Sequence, residues 1–270
     1  MSRYFLAIPG IAFLFCSLLS PALAQTTPDT PPPPSSSIPG TAAQAAPLSD
    51  EDLAKLYLIR KEYAAAEVVF RRLTRQQPKN AVYWNELGIS LHNQTELDSA
   101  MKCYEKSAKL DSRYADPVNN MGTVWYERKK YPKAIRAYKR AIGIKDNFAS
   151  FYLNLGYAYF ADKKYEESIA SFHKVLQLDP QAFDQAGSRT GTVVQDRSLG
   201  ADRGLFYFLL AKSFAQAGNV ERCVIYLRKA RDEGYKNMDA AKSDPAFAGV
   251  LQDPAIQEIL EPAPPPTAQP

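Results

Sequence analysis

The chain has 270 residues, 46% of them hydrophobic, with 33 Lys and Arg set against 29 Asp and Glu. That length can build one core or several stacked units. With only three Cys and two His, a disulfide framework and a Cys/His zinc cluster are both excluded, and no metal or cofactor is expected.

The first elements are not part of a fold. Met1-Ser2-Arg3 leads into the nearly uncharged run YFLAIPGIAFLFCSLLS and then Pro21-Ala22-Leu23-Ala24. A cationic start, a short apolar core and an Ala-x-Ala pattern read as a secretory signal over residues 1–24, cleaved after Ala24. The run from Tyr4 to Leu19 is shorter than the ~20 residues a spanning helix needs, and retention as an anchor is the alternative. Cys16 follows Phe13-Leu14-Phe15 and not small residues, which argues against lipidation. No later stretch is comparably apolar, so no membrane span is expected after signal removal, and the mature chain is expected to be periplasmic or secreted. Residues 25–47 are proline-rich with almost no large apolar side chains, the composition of a disordered tether; residues 261–270 read the same way.

From residue 48 a period of 34 governs the sequence. Units starting at Pro47, Ala81, Ala115 and Ala149 place Ala54, Gly88, Gly122 and Gly156 at the eighth position. The twentieth holds Ala66, Ala100, Ala134 and Ser168, and the twenty-fourth Phe70, Tyr104, Tyr138 and Phe172. Each unit reads as two helices that meet at small residues, with an aromatic filling the wedge between neighbouring hairpins. Apolar residues at positions four, seven and eleven, such as Trp84, Leu87 and Leu91, give the first helix its buried stripe. Pro78 and Pro180 close units one and four.

These residues resemble the tetratricopeptide repeat, most closely in unit two with Trp84, Leu87, Gly88, Ala100 and Tyr104. The resemblance covers residues 47–182 and implies an all-α, right-handed superhelical solenoid of helix-turn-helix hairpins, four of them within residues 48–182. Ser112 and Asp146 stand where the family often has proline, so the two helices before them are expected to end less sharply. A weaker fifth unit occupies 204–235, with Cys223 at the small position; Cys103 and Cys223 read as buried packing residues. Residues 183–203 form an insertion without helical periodicity, of a kind that is functional or disordered. Residues 236–260 hold two Asp-Pro helix starts, Asp244-Pro245 and Asp253-Pro254, read as capping helices.

In this family the first helices line an inner groove. The positions that face it would carry Asn85, Glu86, Ile89 and His92 in unit two, Asn119, Asn120, Thr123 and Tyr126 in unit three, and Leu153, Asn154, Tyr157 and Phe160 in unit four. The candidate peptide-binding residues are Asn85, Asn119, Asn120, Thr123, Tyr126, Asn154, Tyr157 and Phe160. Asn120 and Asn154 resemble the family's asparagine ladder, whose amides pair with a peptide backbone; the alternative is hydrogen bonding between neighbouring repeats. A clamp for a peptide carboxylate is not expected, because Glu51, Glu86 and Asp116 occupy its places. Charge concentrates in unit three, with eight Lys and Arg against three Asp and Glu, as a solvated face or as a contact for an acidic partner or anionic envelope surface.

No phosphate-cradling, zinc-hydrolase or nucleophile-elbow motif occurs, so an enzyme is not expected, and export disfavours nucleic acid. The expected function is protein or peptide binding, as an envelope adaptor or scaffold. The alternative is a permanent structural subunit or assembly factor of a secretion or pilus machine.

Overall fold

The computed structural model describes residues 48–183 and 202–261, and among them every regular element is a helix. The signal, the proline-rich tether, residues 184–201 of the insertion and residues 262–270 lie outside the described residues. Ten helices form five hairpins: α1 (Asp50–Ile59) with α2 (Tyr63–Gln76), α3 (Ala81–Asn93) with α4 (Leu97–Leu110), α5 (Asp116–Glu127) with α6 (Tyr131–Ile144), α7 (Ala149–Ala161) with α8 (Tyr165–Leu178), and α9 (Arg203–Gln216) with α10 (Val220–Asp232). Each helix packs on the next along the chain, so the hairpins stack as a solenoid. Among the described residues no helix is long and apolar enough to cross a membrane.

The turn inside each hairpin is the same device five times. Lys61, Thr95, Lys129, Lys163 and Gly218 sit just past the first helix at φ of 60°, 66°, 56°, 59° and 69°. In unit one Lys61 N–H donates to Leu58 O at 3.0 Å and Glu62 N–H to Tyr57 O at 2.8 Å. The same pair of bonds recurs at Thr95 and Glu96, Lys129 and Lys130, Lys163 and Lys164, and Gly218 and Asn219. This left-handed cap satisfies the last carbonyls and turns the chain back. Glycine is the residue best suited to that conformation, and four of the five turns go without it.

Small residues let the two helices of a hairpin approach. A Cβ placed on Gly88 or Gly122 would lie 2.5 Å from the ring of Tyr104 or Tyr138, and one on Gly156 would strike Phe172. The twenty-fourth-position aromatic thus packs directly against the glycine of its own hairpin, a tighter role than the wedge between hairpins that the pattern suggests. Tyr104, Tyr138 and Phe172 are fully buried.

The expectation that two helices end less sharply is corrected. α4 and α6 stop at Leu110 and Ile144, the same repeat position at which α2 and α8 stop. Asp111 and Lys145 turn to extended backbone, at φ −136° and −151°, and each still gives its N–H to the carbonyl four residues back. An extended residue ends the helix without proline.

Beyond α10 come a short α11 (Ala240–Ser243), a 3-10 helix (Pro245–Phe247) and α12 (Pro254–Leu260). Asp244 and Asp253 accept from the backbone N–H of Ala246 and Ala255, both at 2.9 Å, with Pro at the first helical position. Phe247, Ile256, Ile259 and Leu260 are buried, with Phe247 5.6 Å from Phe208 of α9. Cys103 and Cys223 are free, buried thiols, pushed by that burial up to about 11 and about 12.

Candidate functional site

The asparagines at repeat positions five and six make one hydrogen-bonded chain across three units. Asn154 Nδ2 donates to Asn119 Oδ1 at 3.1 Å, Asn119 Nδ2 to Asn120 Oδ1 at 3.4 Å, and Asn120 Nδ2 to Asn85 Oδ1 at 3.0 Å. Asn85 Nδ2 then reaches Tyr114 Oη at 3.1 Å and Glu86 Oε1 at 3.3 Å. Each inter-repeat step joins position six to position five of the preceding unit, a separation of 35 residues. All four amides are buried, at 0–1% exposure. The interior of a stack accepts such groups only because they are bonded to one another.

Of the two readings of Asn120 and Asn154, contact with a peptide backbone and hydrogen bonding between neighbouring repeats, the structure shows the second, with partners one position and one repeat earlier that the sequence reading did not pair with them. The signal was available. A helix that packs on the next copy of itself presents neighbouring positions across the junction, and Asn85 precedes Asn120 by 35 as Asn119 precedes Asn154.

The same offset of 35 recurs seven residues, about two helix turns, onward. His92 Nε2 lies 2.8 Å from Glu127 Oε1 and His92 Nδ1 lies 3.3 Å from Tyr104 Oη. The imidazole is buried while Glu127 is partly exposed, so this pair links the ends of α3 and α5. In unit three, Tyr138 Oη donates to Thr123 Oγ1 at 3.2 Å. Tyr126 packs on Tyr131 at 5.4 Å between ring centroids.

The two aromatic groove candidates of unit four have a packing role. Tyr157 stacks on Phe206 at 5.3 Å and meets Phe172 edge-on at 5.7 Å, while Phe160 meets Phe206 at 5.3 Å and Tyr165 at 5.7 Å. Tyr157 and Phe160 are buried. Phe206 of α9 is therefore the centre of the junction between units four and five, and edge-to-face rings of this kind add to plain area burial.

An acidic region lies beside the amide chain. Burial raises the carboxyl of Glu86 above its ordinary range; the Asn85 amide opposes the shift and Asp116 reinforces it. Asp116 is raised for the same main reason, partly offset by its own backbone hydrogen bond. Among the described residues there is no group of His, Cys, Asp and Glu that could hold a metal ion.

The cations of unit three belong to the second helix of the hairpin and its flanking turns. Lys129, Lys130, Lys133, Arg136, Lys139, Arg140 and Lys145 are exposed, on α6 and the turns around it.

A model described as TPR repeat matches residues 122–163, and models described as tetratricopeptide repeat match residues 51–115 and 149–182. No curated protein matches the chain in sequence. Among similar solved structures, pilF of Pseudomonas aeruginosa is 20% identical, with a TM-score of 0.49, over 78% of this chain and 88% of its own. MamA from Desulfovibrio magneticus RS-1 is 17% identical, with a TM-score of 0.48, over 68% of this chain and 92% of its own. The first TPR of Spaghetti (RPAP3), solved bound to the HSP90 peptide SRMEEVD, is 27% identical, with a TM-score of 0.38, over 39% of this chain and 85% of its own. The 34-residue hairpins, the repeated small-to-aromatic contact and the three family matches together make this chain a tetratricopeptide repeat protein.

Proposed function

We propose that the protein is an exported adaptor that holds a protein or peptide partner on the face built from α3, α5 and α7. Tetratricopeptide arrays are protein-interaction scaffolds, and the finer assignment rests on one observation: the amide chain that runs unbroken from Asn154 to Tyr114. It couples three successive first helices to one another before any partner arrives. Asn119 and Asn120 each spend one amide hydrogen on the chain, and an Asn amide has two. The amides are buried, so a partner reaches them by replacing the groups that cover them, and an extended backbone would supply carbonyls for the two remaining hydrogens.

The N-terminal sequence supports the export part of this reading. In an envelope setting the partner would be another envelope or exported protein. Affinity capture from an envelope extract tests the proposal. The wild-type chain should retain a defined protein that Asn119→Ala with Asn120→Ala loses, while a variant changed only at Lys133, Arg136 and Lys139 keeps it. Retention by the folded amide variant, or loss with the charge variant alone, would move the binding surface elsewhere.

A further inference from the structure

The geometry points to an anionic phospholipid surface as the partner of the outer face of unit three. α6 carries Lys133, Arg136, Lys139 and Arg140 and no acidic residue, whereas α4 and α8 mix both signs. With Lys129, Lys130 and Lys145 at its ends, this makes seven exposed cations. None of the seven forms an ion pair among the described residues. Like charges gathered with few counter-charges, of which Asp116 near Lys145 is one, raise the local potential, and an apposed anionic layer relieves it.

A second observation shows how the charges are held. Lys133 Nζ is 4.6 Å and Lys130 Nζ 5.3 Å from the centroid of the Trp125 ring, with Arg128 at 5.6 Å. Arg128 is committed to Asp98 at 2.6 Å, so two uncommitted ammonium groups share one aromatic floor. Lys139 lies 5.6 Å from the Tyr159 ring and Lys145 4.3 Å from that of Phe148. Cation–π contacts of this kind fix an ammonium in place while leaving its outer hydrogens to solvent or to an anion.

The face lacks what a protein interface needs. The large exposed apolar side chains among the described residues are Leu48, Ile59, Val68 and Val82, all in units one and two. Protein interfaces concentrate their energy in buried aromatic or aliphatic anchors. A charged bilayer attracts basic residues with no such anchor, about fivefold in partitioning for each Lys or Arg.

The test is co-sedimentation of the full chain with vesicles of phosphatidylcholine alone and of phosphatidylcholine with phosphatidylglycerol, at low and high salt. Any insertion of the apolar N-terminal run is common to the wild-type chain and its variants, so the difference between them isolates the charge of α6. Binding to the anionic vesicles should be abolished by salt and reduced about 100-fold by Lys130→Gln, Lys133→Gln and Arg136→Gln together. Neutralising Lys102, Lys106 and Lys109 on α4 should have a far smaller effect, with circular dichroism confirming that both variants fold. Equal binding to both vesicle types, or undiminished binding by the α6 variant, would overturn the proposal. Salt-sensitive binding of polyglutamate without binding of anionic vesicles would assign the face to an acidic polypeptide and overturn it equally.

Discussion

The side-chain amide of Asn154 donates to the side-chain oxygen of Asn119 one repeat back, at 3.1 Å and with both groups buried. The bond couples α7 to α5, as Asn120 to Asn85 couples α5 to α3. Stability in a solenoid is a sum of hairpin terms and nearest-neighbour terms, and these bonds belong to the second kind.

Asn119→Ala should therefore destabilise the array. It removes the acceptor that Asn154 donates to and strands the acceptor of Asn120, and a buried polar group left unpaired costs about 1–3 kcal/mol. Urea unfolding measures it. In a double-mutant cycle with Asn154→Ala, the coupling should exceed about 0.5 kcal/mol; additive losses would show that the amides do not act on each other.

Gly122→Ala should cost about 1–3 kcal/mol through overpacking, because the new methyl falls on the buried ring of Tyr138. Unit one tolerates Ala54 opposite Phe70, so the cost measures how far Tyr138, tied to Thr123 by its hydroxyl, can give way. An unchanged thermal midpoint would mean that the ring shifts freely.

Lys163→Gly should stabilise the protein by up to about 1 kcal/mol, because Lys163 sits at φ 59° and a left-handed conformation strains residues with a Cβ. Gly218→Ala, at φ 69° in the equivalent turn, should destabilise by a similar amount. Chemical denaturation of both variants checks the pair; a loss of stability in the glycine variant would show that the lysine side chain contributes more than its backbone costs.

Glu86 and Asp116 set a pH dependence. Their folded-state carboxyl groups are raised, chiefly by burial. The folded chain therefore holds these protons at pH values where the unfolded chain has released them. Their contribution to stability falls as pH rises from the unfolded value through the raised folded one, and recovers on acidification. Glu86→Gln should raise the thermal midpoint at neutral pH and flatten this part of the pH profile. A wild-type profile unchanged by the substitution would remove Glu86 from the account.

The repeat was legible because its signal is positional: Gly88, Gly122 and Gly156 recur in register with Tyr104, Tyr138 and Phe172, and close packing leaves little else those residues can do. The turns were not, because Lys61, Lys129 and Lys163 carry no mark of a positive φ; only the repeat itself, with Gly218 in the equivalent place, betrays it. The fate of Tyr157 and Phe160 was hidden as well. Their positions in unit four predict a groove, and the ring that packs on them, Phe206, belongs to the weakly patterned unit that follows.

On the proposed function, the first-helix face binds a protein partner and Asn119 and Asn120 take part in it. Isothermal titration of the captured partner against the wild-type chain and Asn119→Ala with Asn120→Ala, well below the melting temperature of both, tests it most directly. Two hydrogen bonds worth roughly 0.5–1.5 kcal/mol each predict a loss of affinity of about 5- to 150-fold, with the variant still folded. Equal affinity in a folded variant would contradict the account.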